Sequence, residues 1–198
     1  MTEQPQPTDD NRSGVEEAWS QRVAIRDLAR EHLNAVVSLH MQAFPDFFLT
    51  FLGHSFIKQL YLAYCDDPTT IALVAVRDEG GEILGVVIGP LYPASFFKRI
   101  LIRRWWRFAS AATRAMLCKP SITPRVVRAV RYRGEAPDDG GERALLASIA
   151  VSPAVQGSGV GKQLIQKFLE RVKAAGLRGA FLTTDARTTT QSTRFTVG

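Results

Sequence analysis

Apolar and polar positions alternate along Arg22-Val23-Ala24-Ile25-Arg26, as in a short half-buried strand. The spacing then turns helical. Leu28, Val36 and Leu39 are among its apolar positions, Asp27 is the expected cap, and the helix is predicted to reach Ala43. Phe44-Pro45-Asp46 breaks it, and Phe51 to Tyr64 reads as a second helix ending before Asp66-Asp67-Pro68. Two apolar runs, Ile71 to Val76 and Ile83 to Ile88, flank Arg77-Asp78-Glu79-Gly80-Gly81-Glu82, which is a hairpin signal. A fourth strand is predicted at about 144–151. A helix follows at about 160–175, with Val160, Leu164, Phe168 and Val172 on one face. Gly176 can end that helix in a left-handed turn, and a fifth strand is predicted at about 180–184.

Between the fourth strand and its helix lies Gln156-Gly157-Ser158-Gly159-Val160-Gly161. A strand, a glycine turn and a helix start bring free backbone N–H groups to one point, which suits an anion such as a pyrophosphate. Three phosphate-binding patterns compete here. A P-loop requires G-x-x-x-x-G-K-[ST]; Gly161-Lys162 fits, but Gln156 replaces the first glycine and Gln163 the Ser/Thr that would hold magnesium. A dinucleotide fingerprint requires G-x-G-x-x-G; Gly157 and Gly159 fit, but Lys162 stands at the third glycine. The third pattern is Gln/Arg-x-x-Gly-x-Gly/Ala, which Gln156, Gly159 and Gly161 match. The plain alternative is a glycine turn that serves only as a loop.

The third pattern is that of the GNAT N-acetyltransferases. With Ile149-Ala150-Val151-Ser152-Pro153 before the turn and Ala180-Phe181-Leu182-Thr183-Thr184 after the helix, the chain resembles that family. The likeness is strongest over 144–186. It implies an α/β (α+β) fold: a mixed, twisted sheet flanked by helices. It also implies attack by a primary amine on the thioester of acetyl-CoA as co-substrate. On that resemblance, backbone groups near Ile149, Ala150 and Val151 would pair with the pantetheine amides, and one N–H could face the oxyanion. Gln156, Gly157, Ser158, Gly159, Val160, Gly161 and Lys162 would surround the pyrophosphate. Positioning would supply much of the rate. Tyr92 and Asp185 are the candidates for a catalytic side chain; Asp185 also reads as a cap or a solvated charge. Phe44-Pro45-Asp46-Phe47-Phe48 through Leu52-Gly53 looks similar to family members associated with polysaccharide synthesis, which suggests an amino sugar as the small-molecule acceptor.

Composition is ordinary for a globular chain: 198 residues, 45% hydrophobic and 22% charged, enough for one core. Residues 1–20 are polar and read as a flexible tail rather than a signal peptide, leaving 21–198 as one domain. The apolar stretch from Ile83 to Phe97 is broken by Pro90 and Pro93 and is too short to span a bilayer. Cys65 and Cys118 form no metal or redox motif, the three histidines are not spaced as ligands, and no metal site is expected. Reduced thiols suit the cytoplasm.

Two stretches depart from the family pattern. An insertion of about residues 91–143 holds, from Ser95 to Gly134, eleven Lys/Arg and no Asp or Glu, against a net charge of +6 for the whole chain. In a helix, Arg99, Arg103, Arg107 and Arg114 form one stripe, with Leu101, Trp105, Phe108 and Ala112 roughly opposite. Such a helix either packs on the sheet with a solvated basic face or lies on an anionic membrane through residues 95–134, which would make the protein peripheral at the inner membrane. Nucleic acid is the least supported partner, because no recognised motif accompanies the charge. The C-terminus is the second departure. Thr188 stands where an Asn is expected, Thr196 where the family's acid Tyr would be, and nothing remains for the last two strands. A shortened family member is therefore expected, with the edge of strand five open or covered by a second copy. The alternative function follows from it: a catalytically impaired CoA-binding or membrane-associated remnant.

Overall fold

The computed structural model describes residues 23–45, 50, 52–78, 81–100, 102 and 142–183, together with the strand at 192–196. The tail expected at 1–20, most of the basic insertion, Asp46 and Asp185 lie outside the described residues. The elements run β1 (Val23–Asp27), a 3-10 turn (Arg30–His32), α1 (Leu33–Ala43), α2 (His54–Asp66), β2 (Thr70–Arg77) and β3 (Ile83–Pro90). A helix α3 covers 93–100. Then come β4 (Arg143–Leu145), β5 (Ser148–Val151), a 3-10 turn (Pro153–Val155), α4 (Val160–Ala174), β6 (Gly179–Thr183) and β7 (Ser192–Thr196).

The strands form two sheets. One is antiparallel with order β1-β2-β3-β5; the other has order β4-β6-β7, with β4 and β6 parallel and β6 and β7 antiparallel. The architecture is thus the mixed α/β sheet flanked by helices that the sequence implies. Strand alternation divides the apolar side chains between two layers. Val74, Val76, Val86, Ile88 and Ala150 face α1, α2 and α3; Ile71, Leu73, Ala75, Leu84 and Val87 face α4. On α4 the four residues Val160, Leu164, Phe168 and Val172 are each fully buried. Burial of each stabilises the fold by about 1.5–3 kcal/mol.

Several expected boundaries shift. Asp27 ends β1, opposite Leu73, instead of capping α1, which starts at Leu33. The second helix starts at His54, because Gly53 turns the chain with φ 86°. The single strand expected at 144–151 is divided: β4 belongs to one sheet and β5 to the other. Finally, β7 lies along β6, pairing Ser192 with Thr183 and Thr196 with Gly179. The sequence pattern placed no strand there and left that edge of β6 open or to a second copy; the chain itself covers it.

The insertion begins as α3, with its proline at the first helical turn where a missing N–H is harmless. Phe96 is fully buried, with its ring centroid 4.6 Å from that of Tyr64. Arg99 does not extend a free basic stripe. Its Nε lies 2.9 Å from Asp67 Oδ2 and one terminal nitrogen 3.0 Å from Oδ1, so the guanidinium grips the carboxylate that follows α2. Burial alone would raise the Asp67 pKa, but bonds from Arg99 and Thr69 outweigh it and hold the carboxyl below its ordinary value. Arg103, Arg107 and Arg114 lie outside the described residues. Among the described residues no helix is long and apolar enough to cross a membrane.

Candidate functional site

The break between β4 and β5 shapes the site. Leu146 N–H donates to Phe181 O on β6 at 2.9 Å, and Ala147 N–H donates to Ile88 O on β3 at 2.9 Å. Ile88 is also the register partner of Ser148. Ala147 and Ser148 therefore oppose one residue of β3, which is a β-bulge, a device that recurs beside active sites. Before the bulge the chain pairs with β6; beyond it the chain pairs only with β3. The two sheets part there like the arms of a V.

Gly89 permits this crossing. A Cβ on Gly89 would stand 1.9 Å from Leu145 O and 2.8 Å from Phe168 Cζ, so β4 passes directly over the β3 backbone. No side chain larger than hydrogen fits without displacing that carbonyl.

The hydrogen-bond phase of β5 decides which backbone groups face the opening. Ser152 N–H donates to Leu84 O at 2.8 Å. By antiparallel alternation Ala150 also turns its peptide groups to β3, opposite Val86, whereas Ile149 and Val151 turn theirs to the free edge. Of the three residues expected to offer backbone bonds, Ile149 and Val151 are placed to do so. Ala150 is not: its peptide groups belong to the β3 ladder and its side chain is buried.

The glycine turn follows at the open end of the V. Gly157 and Gly159 adopt φ 82° and 83°, in the left-handed region that only glycine enters without strain. Gly159 is the N-cap of α4, with no side chain capping the helix, and Gln163 N–H makes the first intrahelical bond back to Gly159 O at 3.0 Å. The N–H groups of Val160, Gly161 and Lys162 thus have no partner within the helix. No acidic residue sits in the first turn, and Lys162 adds an exposed positive charge. Gly161 lies against β5, the position of a Cβ being 3.4 Å from Val151 Cγ2. Ser158 differs from expectation. It is buried, and both its N–H (3.2 Å) and its hydroxyl (2.6 Å) donate to Val155 O. It braces the turn from within, as does Gln156, whose N–H reaches Pro153 O at 3.4 Å.

The side-chain candidates are not brought to this point. Tyr92 is exposed and caps α3, its carbonyl accepting Phe96 N–H at 3.0 Å. It follows the end of β3 remote from Gly85, which pairs with Val151, so the run of strand between them puts it roughly 20 Å away. Asp185 lies outside the described residues. Thr196 pairs with Gly179, the end of β6 away from the opening.

A buried polar pair that the sequence pattern did not single out lies on the α1 and α2 side of the sheet. His40 on α1 has Nδ1 3.0 Å from the Tyr61 hydroxyl on α2. His40 and Tyr61 are buried, and His40 Nε2 has no hydrogen-bond partner. Burial pulls the His40 pKa from 6.5 down to about 4 and pushes the Tyr61 hydroxyl up, so both are neutral near pH 7. Residues 40 and 61 are too far apart in sequence for any local pattern to join them.

Comparison with known proteins agrees with this geometry. The profile of the Acetyltransferase (GNAT) family matches residues 33–196. No protein of curated function matches the chain significantly in sequence. Among solved structures, a GNAT family acetyltransferase from Brucella melitensis in complex with acetyl-CoA is 19% identical, with TM-score 0.51, over 89% of this chain and 88% of that one. The aminoglycoside N-acetyltransferase AAC(6')-Iy in complex with CoA is 15% identical, with TM-score 0.53, over 83% and 78%. A transcriptional regulator from Bacillus halodurans is 19% identical, with TM-score 0.51, over 84% of each. At such identities the likeness establishes the fold.

Proposed function

The chain belongs to the acetyltransferase (GNAT) family, an acyltransferase with acetyl-CoA as co-substrate, and from that premise we propose that it transfers the acetyl group to a primary amine of a small molecule, an amino sugar being the class we favour. One observation carries the donor side. The free edge of β5 and the uncapped start of α4 lie at the same open end of the V, Gly161 touching Val151. In this reading the peptide groups of Ile149 and Val151 pair with the pantetheine amides as an added strand would. The N–H groups of Gly157, Gly159, Val160, Gly161 and Lys162 surround the pyrophosphate, whose charge the helix dipole and Lys162 favour. An N–H on the β5 edge faces the oxyanion of the tetrahedral intermediate. Catalysis then rests on holding thioester and amine in line.

The reading of an impaired remnant loses its motivation, because β7 lies on β6 and the family match extends to residue 196. We place the reaction in the cytoplasm, a reading supported by a sequence whose two cysteines form no redox or metal motif.

Calorimetric titration with acetyl-CoA tests the donor site. Wild type is expected to bind with micromolar affinity, and Gly161→Glu to lose it, since a carboxylate would occupy the anion's place. This variant is cleaner than Gly159→Glu, because Gly161 is helical and open to a Cβ while Gly159 has positive φ. Folded Gly161→Glu that binds acetyl-CoA as tightly as wild type would refute the assignment.

A further inference from the structure

We propose that Gly85, in the interior of β3, is a positioning residue for the phosphate end of the donor. Its missing side chain seats the first turn of α4 against the sheet, where the N–H groups of Val160, Gly161 and Lys162 stand beside the free edge of β5. The inference rests on the acetyltransferase reading above and adds to it a residue that touches no ligand.

Nothing in the backbone calls for glycine here. Gly85 is not among the glycines with positive φ. It pairs with Ala75 on one side and Val151 on the other. A glycine inside a strand weakens it, and such a position recurs where another part of the molecule comes close. A Cβ on Gly85 would stand 2.8 Å from Leu164 Cδ1, 3.2 Å from Ala150 O and 3.4 Å from Val160 Cγ1. Carbon atoms settle at about 3.5–4.0 Å, so Leu164 would have to retreat by roughly 1 Å. Leu164 and Val160 are both fully buried, in a cluster with Leu84, Val87 and Phe168, so neither side chain has open space to turn into. The displacement passes to the helix.

A register shift between β2 and β3 creates the need for room. Ala75 lies opposite Gly85 and Val76 opposite Ile83, so Leu84 is an extra residue. Leu84 packs in the α4 layer, and a Cβ on Gly85 would meet the same layer. Two consecutive residues of β3 thus turn to one helix. Leu84 fills the space, and Gly85 leaves room for Leu164.

Placement links the glycine to the donor site. Val160 is the first residue of α4, and Leu164 stands about one turn later on the same face. Val151, the register partner of Gly85, lies against Gly161. Gly85 is therefore beneath the turn assigned to the pyrophosphate and one strand in from the edge assigned to the pantetheine arm. A lift of the first turn would separate these two halves of the site while the edge stays paired to β3.

The test uses the full chain and two ligands. Acetyl-CoA is titrated by calorimetry; S-acetylpantetheine, which lacks the pyrophosphate, is titrated by the shift of backbone amide signals in NMR spectra. Gly85→Ala is expected to raise the acetyl-CoA Kd about tenfold, the size of one weakened hydrogen bond to a charged oxygen, and to leave S-acetylpantetheine within about twofold of wild type. Val160→Ile is milder. It extends a side chain toward Gly85 by one methyl group and is expected to act in the same direction by about threefold. Gly85→Ala/Leu164→Val shortens the blocking side chain and is expected to recover most of the acetyl-CoA affinity. Unchanged acetyl-CoA affinity in folded Gly85→Ala, or in Val160→Ile if Gly85→Ala does not fold, would overturn the proposal alone. So would an equal loss for both ligands, which a merely structural role predicts, or a double variant that stays as weak as Gly85→Ala. A wild type that does not bind acetyl-CoA overturns the donor-site reading and this proposal with it.

Discussion

Acid should weaken this fold in two separable steps, and the first belongs to His40. Its imidazole is buried, and burial lowers its pKa from 6.5 to about 4. The unfolded chain takes up a proton near pH 6.5, while the folded chain resists until about pH 4. Between those values the unfolded state binds more protons, so stability falls as pH falls. The contribution is complete above pH 6.5 and lost by about pH 4. At 1.36 kcal/mol per pH unit the gap is worth about 3 kcal/mol, a large share of the 5–15 kcal/mol typical of a domain. Urea denaturation at half-unit steps from pH 7.5 to 4 measures it. His40→Gln retains a polar partner for Tyr61 but cannot titrate. It is expected to be less stable at pH 7 and nearly flat across the same window. If wild type and His40→Gln lose stability in parallel, His40 does not carry the slope and the burial argument is wrong.

Two further outcomes follow from the packing. Gly89→Ala places a methyl group where Leu145 O already stands, 1.9 Å away, so it should destabilise the chain by about 3 kcal/mol or more and weaken acetyl-CoA binding by moving β4; urea denaturation within 0.5 kcal/mol of wild type would contradict the close crossing. Arg99→Met leaves Asp67 without its guanidinium partner and should lower stability at pH 7 by about 2 kcal/mol. Because the Asp67 pKa is held below its ordinary value, that difference should persist through mildly acidic pH and vanish only as pH falls below the carboxylate range.

Legibility in the sequence followed the range of the interactions involved. The α4 face is written in one amphipathic period, and Val160, Leu164, Phe168 and Val172 are all buried as that period implies. The left-handed turns at Gly157 and Gly159 follow from local residue identity in the same way. The bulge does not. Residues 144–151 read as an unbroken strand, and only the approach of Leu145 to Gly89 and the two competing partners Phe181 and Ile88 break it at Leu146 and Ala147. Ser158 looks like one more residue of an anion turn, yet its hydroxyl turns inward to Val155 O. The serine and threonine-rich tail beyond β6 lacks the apolar alternation of a strand, and β7 arises through backbone pairing with β6. Arg99 reads as one of a stripe of cations until Asp67, thirty-two residues earlier, is brought beside it.

The bulge also acts as a phase shifter. Ala144 and Leu146 point into the layer of α4; a regular strand would send Ser148 there too. The extra residue delays the alternation by one step, so Ser148 and Ala150 face α1 and α2, while Ile149 and Val151 take up the α4 side. Which side chains meet which helices is thus tied to a count of residues. Substitutions that keep the strand extended leave that count intact. Straightening the bulge with every residue retained would exchange the two faces and set Ser148 against the α4 core.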